Sequence, residues 1–115
     1  MRRAALLALV LAVVAADTAA AAPARLLVEG REFNLTLSRP QLRHGKAIIQ
    51  LANRGQDPHD LAFARVGGDR RYRIGKTLPG ELGTWQGRLR PGRYKLFCTI
   101  EGHRALGMRA VLRVR

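Results

Sequence analysis

The chain has 115 residues, of which 21 are basic and 8 acidic, for a formal net charge of +13. One domain is the natural prior at that length, and a single cysteine, Cys98, excludes an internal disulfide. Only three histidines are available for metal or proton chemistry, which leaves room for one small site and no second cluster.

The N-terminus opens on Met1-Arg2-Arg3, continues as thirteen apolar residues from 4 to 16, and passes into an alanine-rich stretch from 17 to 24. A basic start, an apolar run and a small-residue end form the pattern of a secretory signal peptide. The apolar run is too short to span a bilayer comfortably. We therefore expect a leader at 1–22, with cleavage between 20 and 24, and a single mature domain at 23–115. An uncleaved anchor is the alternative, and both place the domain outside the cytoplasm, in a periplasm or at the cell exterior. Export turns the basic balance away from nucleic acid. A lone thiol in an oxidising compartment is a liability unless it is buried, paired with another chain or bound to metal.

Beyond the leader the dominant period is two, the signature of strands. Phe33, Leu35 and Leu37 share a face in 32–37; Ala47, Ile49 and Leu51 share one in 46–53. Leu61 and Phe63 follow, then Tyr94, Leu96 and Cys98, then Met108, Ala110, Leu112 and Val114 with Arg109, Arg113 and Arg115 pointing away. Weaker strands are expected at 25–29 and 83–89, the latter carrying Trp85 as a packing residue. Segment 70–78 reads as an irregular connection, and no stretch has a helical period. Turn signals at Pro40, Gly45, Gly55 to Pro58, Gly67-Gly68, Pro79-Gly80 and Pro91-Gly92 separate the strands. About seven short strands so spaced indicate an all-β antiparallel sandwich. Arg90-Pro91-Gly92-Arg93-Tyr94 reads as a tyrosine corner, in which the Tyr hydroxyl bonds backbone a few residues upstream.

The chemistry gathers in Cys98-Thr99-Ile100-Glu101-Gly102-His103-Arg104-Ala105-Leu106-Gly107-Met108. A thiol, an imidazole and a thioether lie there at five-residue intervals, between two strands. A fourth donor has to come from elsewhere. His59, after the turn at Asp57-Pro58, stands at the start of a strand that can fix its position. His44 lies in a polar turn and reads as a solvated residue. Taken singly, Cys98 and Met108 read as core and His103 as surface. Jointly, His59, Cys98, His103 and Met108 make the two-His, one-Cys, one-Met ligand set of a blue-copper site, in which Met is a long, weak ligand. Zinc more often takes several cysteines or several histidines.

These motifs resemble the cupredoxins. Gly92 to Cys98, followed by Gly102-His103 and Gly107-Met108, is similar to the closing hairpin of that family, with C-x4-H-x4-M spacing like that of rusticyanin-type members. Residues 46–53 and His59 are similar to the family's first-ligand region. The resemblance implies a Greek-key β-sandwich, one type 1 copper cycling between Cu(I) and Cu(II), and electron transfer without enzymatic turnover. It also implies His103 as the exposed edge for electron exit. Two residues depart from the pattern: Asp60 stands where Asn or Ser is usual, and Glu101 where Pro is common. A carboxylate at 101 would favour Cu(II). The expected partners are redox proteins, acidic ones fitting the basic surface, with Arg104 steering them; an anionic membrane surface is the other anionic candidate, and a purely solubilising charge the plain alternative. The chain is expected to be a monomer. A copper chaperone or buffer needs the same ligands and stays open as an alternative; a multicopper oxidase needs histidines this chain lacks.

Overall fold

The computed structural model describes residues 8–15 and 21–115. Of the leader expected at 1–22, residues 1–7 and 16–20 therefore lie outside the described residues. Among the described residues no helix is long and apolar enough to cross a membrane.

Among the described residues nine strands and one short helix follow in chain order: β1 (Ala24–Arg31), β2 (Asn34–Leu37), β3 (Gln41–Leu42), β4 (Gly45–Asn53), β5 (His59–Arg65), β6 (Arg71–Thr77), β7 (Leu82–Leu89), β8 (Gly92–Phe97), α1 (His103–Leu106) and β9 (Arg109–Val114). They form two sheets, ordered β2-β1-β4-β7 and β3-β9-β8-β5-β6. The chain crosses between the sheets repeatedly, and the two inner faces enclose one core, the β-sandwich that the strand spacing predicts. Period-two patterning produces that core directly. Leu26 and Val28 of β1 and Ala47, Ile49 and Leu51 of β4 point inward from one sheet. Leu61, Phe63, Tyr94, Leu96 and Leu112 meet them from the other. Each fully buried large side chain contributes about 1.5–3 kcal/mol relative to exposure.

Four details differ from the sequence expectation. Both sheets are mixed, because β1 pairs with β4 and β3 with β9 in parallel. Alternation reveals which face a strand buries but not the direction of its neighbour. Segment 70–78 is not irregular: it holds β6, an edge strand paired with β5. Arg71, Arg73, Gly75 and Lys76 are exposed, and Ile74 and Thr77 alone are fully inside, so its apolar period is almost silent. At 32–37, the strand begins only at Asn34, and Phe33 is 37% exposed instead of sharing the inner face. A single turn of helix, α1, occupies the loop before Met108.

The tyrosine corner is present. The Tyr94 hydroxyl donates to the Arg90 carbonyl at 2.9 Å and accepts from the Arg90 amide at 3.1 Å. Trp85 packs with Phe63 and Tyr72, ring centroids 5.0–5.2 Å apart, as a packing residue should.

Candidate metal centre

Two pieces of chain meet at one end of the sandwich. The first is the start of β5. Its pairing with β6 shifts register between His59 and Leu61, a bulge that lets consecutive residues serve different partners. His59 and Asp60 are both buried there. The second is the 98–108 loop, which leaves β8 at Phe97 and enters β9 at Arg109. The loop closes on itself: the Cys98 amide donates to the Met108 carbonyl at 3.1 Å, and the Met108 amide to the His103 carbonyl at 3.1 Å. Gly102, at φ 80°, turns the chain into α1, so that His103 heads the helical turn facing back toward Cys98. Gly107, at φ 130°, has no room for a side chain, since a Cβ there would stand 2.7 Å from the Phe33 carbonyl oxygen.

These constraints bring three donors together. Ligating atoms of His59, Cys98 and His103 lie within 4.8 Å of one another. His59 Nδ1 is 3.2 Å from His103 Nδ1, which is 3.7 Å from the Cys98 sulfur. His59, Cys98 and Met108 are all fully buried, while His103 is half-buried with Phe33 edge-on at 5.2 Å. Met108 is on the same side of the core as His59. A Cβ on Gly30 of β1 would meet the Met108 methyl at 3.6 Å and the His59 ring at 3.7 Å. His44 is elsewhere, exposed and bonded through Nδ1 to the Arg115 carbonyl.

The surroundings fix these side chains. Glu32, between β1 and β2, accepts from His59 Nε2 at 2.9 Å and from the amides of Gln56 and Asp57 at 2.9 and 2.8 Å. The Asp57 amide above all holds its carboxyl down to about 2, so Glu32 is an anion that only accepts. His59 Nε2 therefore carries the proton, and the Nδ1 lone pair faces Cys98 and His103. Gly55 makes space for this carboxylate: a Cβ there would collide with Glu32 Oε1. Asn53, buried at the end of β4, donates to the carbonyls of Asp57 and Thr77 at 2.7 and 2.9 Å and accepts from the Gly55 amide at 2.9 Å, shaping the turn that delivers His59.

Asp60 joins the two ligand segments. It accepts from the Thr99 amide at 2.6 Å and also from the Thr99 hydroxyl. Both groups donate, so a carboxylate suits this position, and the departure from Asn or Ser has a physical reason. Arg73 stands 3.5 Å from the same carboxylate. Burial pushes the Cys98 thiol up, and the backbone at Asp60 and Ile100 opposes that shift in part. Glu101 is exposed in the turn; the carboxylate that bonds a side chain of the donor cluster is Glu32. Glu32 and Asn53 escape sequence reasoning because Glu32 is 27 residues from His59. The only local signals are a glycine at 55 and an Asn opening a polar turn.

The donor set suits copper. One soft sulfur with two imidazole nitrogens and a nearby buried thioether suits a type 1 arrangement, and the His59–Cys98–His103 cluster fits such a site. No protein-family model matches the chain, and no curated protein matches it. Solved structures do. Dithionite-reduced auracyanin from the photosynthetic bacterium Roseiflexus castenholzii is 17% identical, covers 83% of this chain and 99% of its own, and has a TM-score of 0.65. Auracyanin B is 20% identical over 84% of this chain and 93% of its own, at a TM-score of 0.61. The Cu(I) form of a single-site mutant of amicyanin is 21% identical over 83% of this chain and 86% of its own, at 0.58. At these identities the likeness establishes the fold: the chain has the cupredoxin fold.

Proposed function

We propose that this chain is an exported, mononuclear type 1 copper protein that passes single electrons between redox partners, with His59, Cys98, His103 and Met108 holding the metal. The observation that carries the reading is the convergence of one buried thiol and two imidazole nitrogens within 4.8 Å, beside a buried thioether. The amicyanin structure of like fold is described as a Cu(I) form, which agrees with this donor chemistry. Copper bound there would supply a one-electron couple.

The protein's part is to keep the donors where they are. Glu32 fixes the tautomer and ring angle of His59. Asp60 ties β5 to the 98–108 loop through Thr99, so the imidazole at 59 and the sulfur at 98 keep their spacing. Burial keeps the Cys98 thiol protonated in the free protein, so a metal held there would have to displace that proton. A site held this firmly moves little when an electron arrives. His103, half-buried, is the ligand nearest solvent and the edge through which electrons would pass. Export rests on the leader pattern at 1–22, and an anionic partner on the +13 charge.

Visible absorption and voltammetry of the purified protein with one equivalent of Cu(II) test the proposal. An intense blue colour that bleaches and returns in a reversible one-electron wave is expected. A colourless sample, or copper that cannot be cycled and passes freely to a competing chelator, would replace the carrier with a copper-handling role or with no copper role.

A further inference from the structure

Beside the 98–108 loop a shallow cleft of about 570 Å³ opens to solvent. Its lining includes the buried residues Phe97 and Cys98 together with Arg71, Arg104 and Arg109. The Phe97 ring, 8% exposed, carries two of these cations, with Cζ of Arg104 3.9 Å and of Arg71 5.3 Å from its centroid. Arg109 is held by a bond from Nη1 to the Arg104 carbonyl at 3.3 Å. Among the described residues none of the three makes an ion pair; Arg73, just outside, pairs with Asp60. Glu101 is the one acidic residue on the rim, and it is exposed.

Three like charges gathered against the single carboxylate of Glu101, which pairs with none of them, repel one another, and cation–π contact returns only about 0.5–1 kcal/mol at exposed positions. What the arrangement gains is preorganisation. Guanidiniums already laid on a ring lose little freedom when a carboxylate arrives, and each presents a planar fork of donors. Arginine is spread over this whole chain, so charge alone singles out no face. The cleft differs in that its cations make no ion pair and gather on or beside Phe97, the chain neighbour of Cys98. Resting on the copper reading above, we propose that this cleft is the docking surface for a cluster of Asp and Glu side chains on the redox partner protein, which seats that partner over Phe97 and Cys98.

Hexaglutamate is the probe, titrated at about 0.1 M ionic strength, where the screening length is about 10 Å, into 15N-labelled full chain in the Cu(I) state. The largest shifts are expected at the amides of Phe97, Thr99, Arg104 and Arg109 and at the side-chain Nε of Arg71 and Arg104. The double variant Arg71→Glu/Arg104→Glu should weaken binding at least about tenfold, equivalent to about 1.4 kcal/mol. Arg93→Glu/Arg113→Glu, with the same change of charge at the opposite end of β8 and β9, should weaken it less than about twofold, since screening separates the two ends. Arg71→Gln/Arg104→Gln serves where charge reversal impairs folding, and should show the same ranking. Shifts spread evenly over remote arginines, or equal losses in both pairs, would overturn the proposal in favour of general basicity. Binding to phosphatidylserine vesicles that the Arg71/Arg104 variant abolishes, with hexaglutamate binding unchanged, would overturn it in favour of a membrane surface. A protein that maps the peptide to the cleft yet stays colourless with copper would count against the copper reading, not the anion site.

Discussion

Glu32 carries a negative charge into hydrogen-bond contact with His59, and the bonds from Gln56 and Asp57 keep it there. An anion so placed favours the more positive Cu(II) state. Glu32→Gln retains an acceptor for the His59 proton and removes only the charge. The midpoint potential should rise by roughly 60 mV, the one-electron equivalent of about a tenfold change in equilibrium, with the blue colour retained. Protein-film voltammetry reads this; an unchanged or lower potential would show that the charge is not felt at the metal. Glu32→Ala removes the acceptor as well and should weaken copper retention by about 10–100-fold, the usual cost of losing an outer-shell partner. At this scale the sequence was partly legible. The side chains of 59, 98 and 103 are brought together as their spacing and types predict, because they lie in or beside strongly patterned strands. Glu32 was not legible, since its role comes from how the β1–β2 turn lies against the β4–β5 turn. Glu101 stands in the motif itself, yet among the described residues its carboxylate makes no hydrogen bond or ion pair with His59, Cys98 or His103.

The element that matters most is the 98–108 loop, clamped between β8 and β9 by the Cys98–Met108 backbone bond and pressed against the Phe33 carbonyl at Gly107. Gly107→Ala has to accommodate both φ 130° and a 2.7 Å contact, so it should cost about 1–3 kcal/mol of stability. It should also shift the absorption of the copper-loaded protein, because the displaced backbone lies between His103 and Met108. Thermal melts and the visible spectrum of the variant check both; wild-type values for each would show that the loop does not need this close approach. The strongly alternating strands β4, β8 and β9 were readable from their residues. The edge strand β6 was hidden because it buries only Ile74 and Thr77 fully, and edge strands owe their existence to a neighbour's hydrogen bonds. Helix α1 was hidden because four residues carry no period; the positive φ of Gly102 and the capping bonds of Gly107 make it.

For the molecule as a whole, a domain of this size has little stability to spare, and Cys98 can form no internal disulfide. A metal held by His59 of β5 and by Cys98 and His103 of the β8–β9 loop would substitute for such a cross-link. With free copper at about one hundred times its dissociation constant, binding to the native state alone adds about 2.7 kcal/mol. The melting temperature should rise by about 10–20 °C on loading, taking about 4–8 °C per kcal/mol, and should fall back when a chelator removes the metal. Calorimetry with and without copper measures this; identical melts would mean that no ion bridges the two segments. The sandwich was legible from alternation and turns. The parallel pairing of β1 with β4 was not, because strand direction is decided by the path of the crossovers.

Copper K-edge X-ray absorption of the loaded protein, alongside its Cys98→Ser variant, tests most directly whether the side chains at 59, 98, 103 and 108 hold one ion. A single short sulfur scatterer with two imidazole nitrogens, the sulfur vanishing in the variant, is the predicted result. A first shell of nitrogen and oxygen alone in the unaltered protein would contradict it.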